Sequence, residues 1–316
     1  MLRYAALKTG RALFVVWAAF TLTFILLFVL PANPEDLLFD PTELNTVPPE
    51  VREQVAANYG FDEPVLVQYF ERLGRALAGD FGNSVQSGKP VTEAVLGVLP
   101  STLLLSAGAL ALAALIAYGI ALTATSTRRP WLRNLVESLP SAAVSVPVFL
   151  SGILLLQVFA FKLGWFPAFG SDGPASLVLP LVTLAIPVSG PIAQLLVRRF
   201  TAELESGYVT TSRAKGATRE QIVTGDVFRN ASLPALTITG ITFGNLIAGS
   251  VITETVFARE GVGRLTQTAI NTLDVPLVQG IVVLVAASFA FINLAVDLVY
   301  PLLDPRLRAT LALEAR

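Results

Sequence analysis

Apolar runs of about twenty residues decide what this chain can fold into. A helix rises about 1.5 Å per residue, so about 20 residues cross a bilayer core about 30 Å thick. Six runs on that scale lie near Ala12–Leu30, Leu99–Thr123, Val144–Phe161, Val178–Val197, Leu236–Phe257 and Gln279–Leu302. In lipid each backbone N–H and C=O must find a partner within the protein, so each run is expected to be helical. The expected fold is an all-α integral membrane protein with six transmembrane helices. Composition agrees, because 53% of the 316 residues are hydrophobic and 14% are charged. That is too little polar surface for a soluble domain.

Arg3, Lys8 and Arg11 precede the first run, which is too long for a signal-peptide core and is read as a retained anchor. Short-loop Lys and Arg residues mark the cytoplasmic side. Arg128, Arg129 and Arg133 follow the second run. Arg198, Arg199, Arg213, Lys215, Arg219 and Arg229 follow the fourth, and Arg306, Arg308 and Arg316 follow the sixth. With six crossings, all these clusters and the N-terminal basic residues fall on one side, so both termini are expected inside.

Three regions result: an N-terminal tail and first span over 1–30, an extracytoplasmic segment over 31–98, and a core that holds the other five spans over 99–316. A cytoplasmic loop spans 199–235. The external segment is too long for a plain connection, so it is expected to hold structure. Leu66, Tyr69, Phe70, Leu73 and Leu77 recur at helical spacing in Pro64–Leu77, and Pro49 suits a first helical turn. Two readings stand for it: a lid on the outer membrane face, or a docking surface for an extracytoplasmic protein.

Several chemistries are excluded. The chain has no Cys and no His, which removes thiol nucleophiles, thiolate metal sites, Ser-His hydrolysis and zinc motifs. No metal site or catalytic residue is predicted. The nearest approach to a phosphate loop, Gly82 to Gly88-Lys89-Pro90, has five residues between its glycines and a proline where Ser or Thr should bind magnesium. Gly261-x-Gly263 follows no βαβ pattern, so it is no dinucleotide site. Asn230-Ala231-Ser232 matches a glycosylation sequon but falls on the cytoplasmic side. A net charge of −1 gives no sign of nucleic-acid binding.

The polar stretch Tyr208–Pro234 carries more information. Gly216 suits a helix C-terminal position with positive φ. Thr218 followed by Gln221 suits a capping box. Ile222, Val223 and Val227 then share a face, and Pro234 reads as the stop before the fifth run. The expected result is a short helix ending at Gly216, held at an angle by a second helix. Such a helix can enter a groove on a partner; a plain basic loop is the blander reading.

The fifth run is the most polar. Gly240 and Gly244 permit close helix approach. Thr242, Asn245, Gly249 and Thr253 follow helical spacing, as a pore lining or as hydrogen-bonding groups at a helix interface. One charge at a helix centre costs about 2.5–3.5 kcal/mol on insertion scales, so a charged solute needs a hydrated route. Glu254 is expected at the outer end of this run, where water is available, and Asp297 near the inner end of the sixth. Structural roles are favoured for both, with proton relay as the alternative. Pro147, Pro180, Pro187 and Pro191 suggest local kinks.

These residues resemble a known family. Tyr208, Thr211, Arg213, Ala214, Lys215 and Gly216, followed by Arg229, Asn230, Ala231, Leu233 and Pro234, are similar to the EAA loop of importer-type ABC permeases. The likeness is to the dipeptide/oligopeptide/nickel branch, with Thr210-Thr211-Ser212 in place of Glu-Ala-Ala. Tyr59-Gly60-Phe61-Asp62-Glu63-Pro64, Gln68-Tyr69, Gly79-Asp80-Phe81-Gly82 and Leu99-Pro100-Ser101-Thr102 resemble the first external region. Glu254-Thr255-Val256-Phe257 with Gly261-Val262-Gly263-Arg264-Leu265 resembles an external gate segment. Leu303-Asp304-Pro305-Arg306 resembles the family's terminal signature.

The resemblance implies an importer-type ABC permease fold in a prokaryotic plasma (inner) membrane. It implies half of a heterodimeric pore for short peptides. The implied partners are a second homologous permease, two ATP-binding subunits that hold ATP and magnesium, and an extracytoplasmic substrate-binding protein. The ATPase-coupling positions carried over are Tyr208, Thr211, Arg213, Ala214, Lys215, Gly216, Ala217, Arg229, Asn230 and Pro234. The external gate positions are Glu254, Phe257, Gly261 and Gly263. The long external segment resembles that of the first permease of the pair. The chain itself is expected to be non-catalytic. Nickel or another small solute, a proton-coupled secondary transporter and a membrane scaffold are the alternatives.

Overall fold

The computed structural model describes residues 2–30, 48, 50 and 63–303. The described residues form helices and an isolated bridge between Asn83 and Pro90. In chain order the helices are α1 (Leu2–Phe24, continued by a π turn, Ile25–Val29), α2 (Val65–Leu77), α3 (Val91–Ser126), α4 (Pro130–Ser145), α5 (Val148–Leu155, continued by a π turn, Leu156–Lys162) and α6 (Ala175–Leu204). They continue with α7 (Gly207–Ala214), α8 (Arg219–Ile222, continued by a π turn, Val223–Val227), α9 (Phe228–Val256), α10 (Val262–Asn271) and α11 (Val275–Leu303). The expected helix near Pro49, the 59–62 part of the external motif and the terminal 304–306 motif lie outside the described residues.

Among the described residues, four segments are long and apolar enough to cross a membrane: Tyr4–Val29, Val91–Ser126, Ala175–Leu204 and Val275–Leu298. The helix α9 covers the fifth apolar run over 29 residues. At the third run the local kink expected at Pro147 is a full break. Its helices Pro130–Ser145 and Val148–Lys162 meet at 101° and form one broken span or a re-entrant loop. The cause is local. Pro147 pushes the preceding residue out of the helical region, and Val146 has φ −92° and ψ 123°. By contrast Pro180, Pro187 and Pro191 lie within an uninterrupted α6. Each proline removes one backbone donor, which a long packed helix tolerates.

The chain divides into two compact units. One contains the described residues up to Pro100 together with Arg264–Leu298. Its apolar core joins Phe20, Phe24 and Phe28 of α1 to Val275 and Val283 of α11, with Tyr69, Leu73 and Ala76 of α2 packed against them. Polar ties fix the same partners. Tyr69 and Thr21 share a hydrogen bond of 2.8 Å. Ser84 donates to the buried Asp274 at 2.6 Å, and Asp274 caps α11 by accepting from the Leu277 N–H at 3.2 Å. Asp297 pairs with Lys8 at 2.9 Å, a partner the sequence reading did not supply.

The other unit contains Ser101–Gly263 and the end of α11. Ala109, Ala113, Ala117 and Ala121 recur every fourth residue along α3 and are fully buried. Small side chains let neighbouring helices approach closely. Ala117 and Ala121 meet Ile192, Leu196 and Phe200 of α6, while Ala109 meets Leu184 of α6 and Leu246 of α9. At Gly190 of α6 a Cβ would lie 2.8 Å from the Pro140 carbonyl oxygen, so glycine is required where α4 crosses.

Candidate functional site

The 199–235 loop is built on a buried root with an exposed tip. Val209 of α7, Ile222 of α8 and Val223 and Val227 of the π turn join a core with Ala117, Ala121, Ile192, Leu196 and Phe200. Thr210, Thr211, Arg213, Ala214, Lys215 and Gly216 are exposed. One face of α7 is thus anchored in the helical core while the other is free. Its C-terminus closes at Gly216, with φ +86°. The Gly216 N–H donates to Arg213 O at 2.9 Å, and the Ala217 N–H donates to Ser212 O at 3.1 Å. This paired closure satisfies helix-end carbonyls and reverses the chain. Ala217 then packs against the core.

The start of α8 is fixed reciprocally. The Gln221 N–H donates to Thr218 Oγ1 at 3.3 Å, and the Thr218 N–H donates to Gln221 Oε1 at 2.9 Å. Tyr208 and Asn230, 22 positions apart by sequence number, are brought together: the Asn230 side chain hydrogen-bonds the Tyr208 phenol oxygen, which itself donates to Glu203 Oε2 at 2.8 Å. Burial pushes the phenol above its ordinary pKa. Asn230 opposes that shift and Glu203 adds to it, so the phenol stays a donor through the neutral range. Arg229 is exposed and Ala231 is buried. The expected stop at Pro234 does not occur, because α9 runs unbroken from Phe228 to Val256. A proline deletes one N–H, and the rest of a long helix still holds its ladder.

Arg219 is a contact the sequence reading missed. Its Nη2 and Nε donate to the Thr125 carbonyl oxygen at 2.6 and 3.2 Å. Thr125 is in the last turn of α3, where carbonyls lack intrahelical partners and the helix dipole favours a cation. The loop is thereby latched to the end of α3. Arg219→Ala is expected to leave the fold intact and to raise hydrogen exchange of the α7 and α8 amides by about fivefold or more, the loss of about 1 kcal/mol of charge-assisted bonding. Unchanged exchange in α7 and α8 would refute the latch.

Further along α9, Asn245 and Gly249 are exposed and Thr242 is half-buried, on one face. Thr253 leaves that stripe: it is buried, and its hydroxyl has no hydrogen-bond partner among the described residues. Gly244 is buried. Gly240 lies within the same helix.

The turn from α9 to α10 is organised by Glu254. Water access was expected there, but Glu254 is fully buried. Thr102 Oγ1 donates to its Oε1 at 2.7 Å, and the Gly263 N–H donates to Oε2 at 2.7 Å. Thr102 in turn accepts from the Val262 N–H at 2.8 Å. One carboxylate therefore ties α3, α9 and the first turn of α10. It sits there because α9 ends in a closure like that at Gly216. The Arg259 N–H donates to Glu254 O at 2.8 Å and the Ala258 N–H to Thr255 O at 3.1 Å. Ala258 has φ +48°, a conformation that costs a non-glycine residue about 1–2 kcal/mol. Gly261 and Gly263 are required by space. A Cβ on Gly261 would meet the Glu254 carboxyl group, and one on Gly263 would lie 2.7 Å from the Val251 backbone nitrogen. Phe257 is buried with Leu156 and Leu179. Leu99–Thr102 and the Glu254 segment were separate motifs in the sequence; their meeting required the packed helices.

Residues 109–309 match the family model described as binding-protein-dependent transport system inner membrane component. The chain belongs to that family. Two relatives show how far the likeness extends. The glutathione transport system permease protein GsiC of Salmonella typhimurium (strain LT2) is 34% identical over 287 residues, covering 91% of this chain and 92% of its own. GsiC of Escherichia coli (strain K12) is 31% identical over 308 residues, covering 98% and 99%. Among solved structures, the inward-facing MetNI methionine ABC transporter in two crystal forms superposes with TM-scores of 0.55 and 0.53 at 18% identity. Each covers 66% of this chain, and 95% and 96% of its own. That likeness is one of fold. The inner membrane component is thus a multi-pass permease subunit of the ABC importer type, helical in its described residues, and belongs with the dipeptide/oligopeptide branch.

Proposed function

We propose that this permease forms one half of the translocation pore of an ATP-driven importer for short peptides. Six crossings with both termini inside give the reading that places every basic short loop in the cytoplasm. The chain binds no cofactor and hydrolyses nothing. ATP and magnesium belong to two partner ATPases, a homologous second permease completes the pore, and an extracytoplasmic binding protein delivers solute. The observation that carries the reading is the α7 tip, exposed at Thr210–Gly216 and rooted through Val209 in the core. A push on that tip reaches α3 through Arg219, and α6 and α9 through the packed apolar face. Closure of the ATPases would then switch the pore between inward- and outward-facing states. The exposed stripe of Asn245 and Gly249 on α9 is the proposed pore lining, and the Glu254 turn the outer gate.

Peptide as cargo rests on the kinship with glutathione permeases, since glutathione is itself a short peptide. The proton-coupled alternative is weaker. Asp297 is engaged by Lys8, and Glu254 by Thr102 and Gly263. The test is reconstitution of the chain with its second permease, ATPases and binding protein in vesicles. Dipeptide or glutathione is expected to stimulate ATP hydrolysis and to accumulate inside, with uptake insensitive to a protonophore while ATP persists. Uptake abolished by the protonophore at constant ATP would overturn the ATP-driven reading. Stimulation by nickel and not by peptide would overturn the cargo.

A further inference from the structure

The helix α2 has an apolar face wider than the part that the chain covers. At 3.6 residues per turn, Tyr69, Arg72 and Ala76 share one side, and this side packs on α1. There Tyr69 stands edge-on to Phe20 and Phe24 at 5.8 and 5.3 Å, and the Arg72 guanidinium covers the Phe28 ring at 4.1 Å. Leu73 joins the same core. Immediately beside that side lie Leu66, Phe70 and Leu77, within about 40° of one another on the helix. They are 72%, 66% and 82% exposed. The polar arc, Glu71, Arg75 and Gln68, is opposite. A closure at Gly79, φ +82°, ends the helix, and Arg75 is clamped to Asp80 at 2.9 Å on that polar side.

The position of this face identifies its occupant. The residues of α1 that hold α2 run from Phe20 to Phe28, the last turns of a membrane-length segment, Tyr4–Val29. The outward residues of those same turns, Leu22, Ile25, Leu26, Val29 and Leu30, are exposed and apolar, as lipid contact requires. Leu66, Phe70 and Leu77 therefore continue a lipid-facing surface at the level where the apolar segment gives out. A helix with one apolar face, one charged face and a fixed place at the membrane boundary suits the headgroup–acyl interface. We propose that α2 is an interfacial helix lying on the bilayer, with Leu66, Phe70 and Leu77 inserted among the lipids and Glu71 and Arg75 in water. Its partner is lipid, and the helix props the end of α1 at a set depth. For α2, this favours the membrane-face reading of the two that the sequence left open.

The chain has no cysteine, so single cysteines can be placed without a background from the chain itself. Leu66→Cys, Phe70→Cys and Leu77→Cys, with Glu71→Cys and Arg75→Cys as the polar set, would be labelled with bimane. The transporter would be assembled with cysteine-free partners in phosphatidylethanolamine–phosphatidylglycerol vesicles. Lipids spin-labelled near the headgroup are expected to quench the apolar set at least about threefold more than the polar set, and more than lipids labelled at the chain end, since interfacial helices sit about 5–10 Å deep. Iodide in the water is expected to show the reverse order. Equal iodide quenching of both sets would overturn the proposal. So would shielding of the apolar set from lipid and iodide alike, whether it is present from the outset or appears on adding the binding protein, because a protein would then cover the face.

Discussion

Glu254→Ala is expected to destabilise the permease by about 3 kcal/mol or more, more than any other single truncation of a polar side chain described above. The Thr102 hydroxyl and the Gly263 N–H would lose their acceptor in a fully buried site. Each stranded donor costs about 1–3 kcal/mol, and the removed side chain leaves a void besides. Thr102 would also lose the bond that orients it to receive the Val262 N–H. The turn from Phe257 to Gly263 would then lose its tie to α3 and keep its strained closure at Ala258 and the bonds of Glu260 N–H to Ser171 and of Gly170 N–H to Phe257 O. The measurement is the thermal melting midpoint of the detergent-solubilised chain, followed by uptake at a temperature where the parent is folded. Glu254→Gln should fall between the parent and alanine. An amide offers one acceptor oxygen and sets its NH2 against a donor. Gly263→Ala is expected to match Glu254→Ala, because its Cβ would drive into the Val251 backbone and break the same bond. A Glu254→Ala protein that melts with the parent would show that the carboxylate holds nothing.

The second large effect is expected at the α7 tip. Gly216→Glu puts a carboxylate beside Arg213 and Lys215 on the exposed end of the helix. A Cβ there meets no other atom within 4 Å, so packing is spared. The backbone is not, since φ +86° costs a non-glycine residue about 1–2 kcal/mol. The chain is therefore expected to fold and reach the membrane, while peptide uptake falls at least about tenfold, the equivalent of about 1.4 kcal/mol of lost docking. ATP hydrolysis by the partners should persist but cease to respond to peptide. Gly216→Asn separates backbone from charge, because asparagine tolerates this conformation better than most residues. It should keep most of the uptake. A Gly216→Glu transporter that assembles and imports like the parent would sink the docking assignment.

Much of this was legible from local rules. The Gly216 closure needs a residue that accepts positive φ, and the Thr218–Gln221 box needs two side chains three apart. Both are short-range requirements written into adjacent letters. The helical spacing of Leu66, Tyr69, Phe70, Leu73 and Leu77 likewise locates α2. What misled the reading was the strength assigned to proline. Pro234 was expected to stop a helix that runs through it. Pro147, read as a kink within one span, instead separates α4 from α5 at 101°. The difference is in the surroundings. At Val146 the chain goes extended before the ring, whereas around position 234 it stays helical.

By itself the sequence determined the membrane class, the local closures such as Gly216 and Thr218–Gln221, and the family, because each depends on composition or on residues within a few positions of one another. Tertiary structure decided the rest. Thr102 meets Glu254 across 152 residues, and Ser84 meets Asp274 across 190. Tyr208 meets Asn230, and Arg219 meets the end of α3. A hydrogen bond demands its partner within about 3 Å. Along a helix local spacing reaches only three or four residues, so such pairs exist only once the helices have packed.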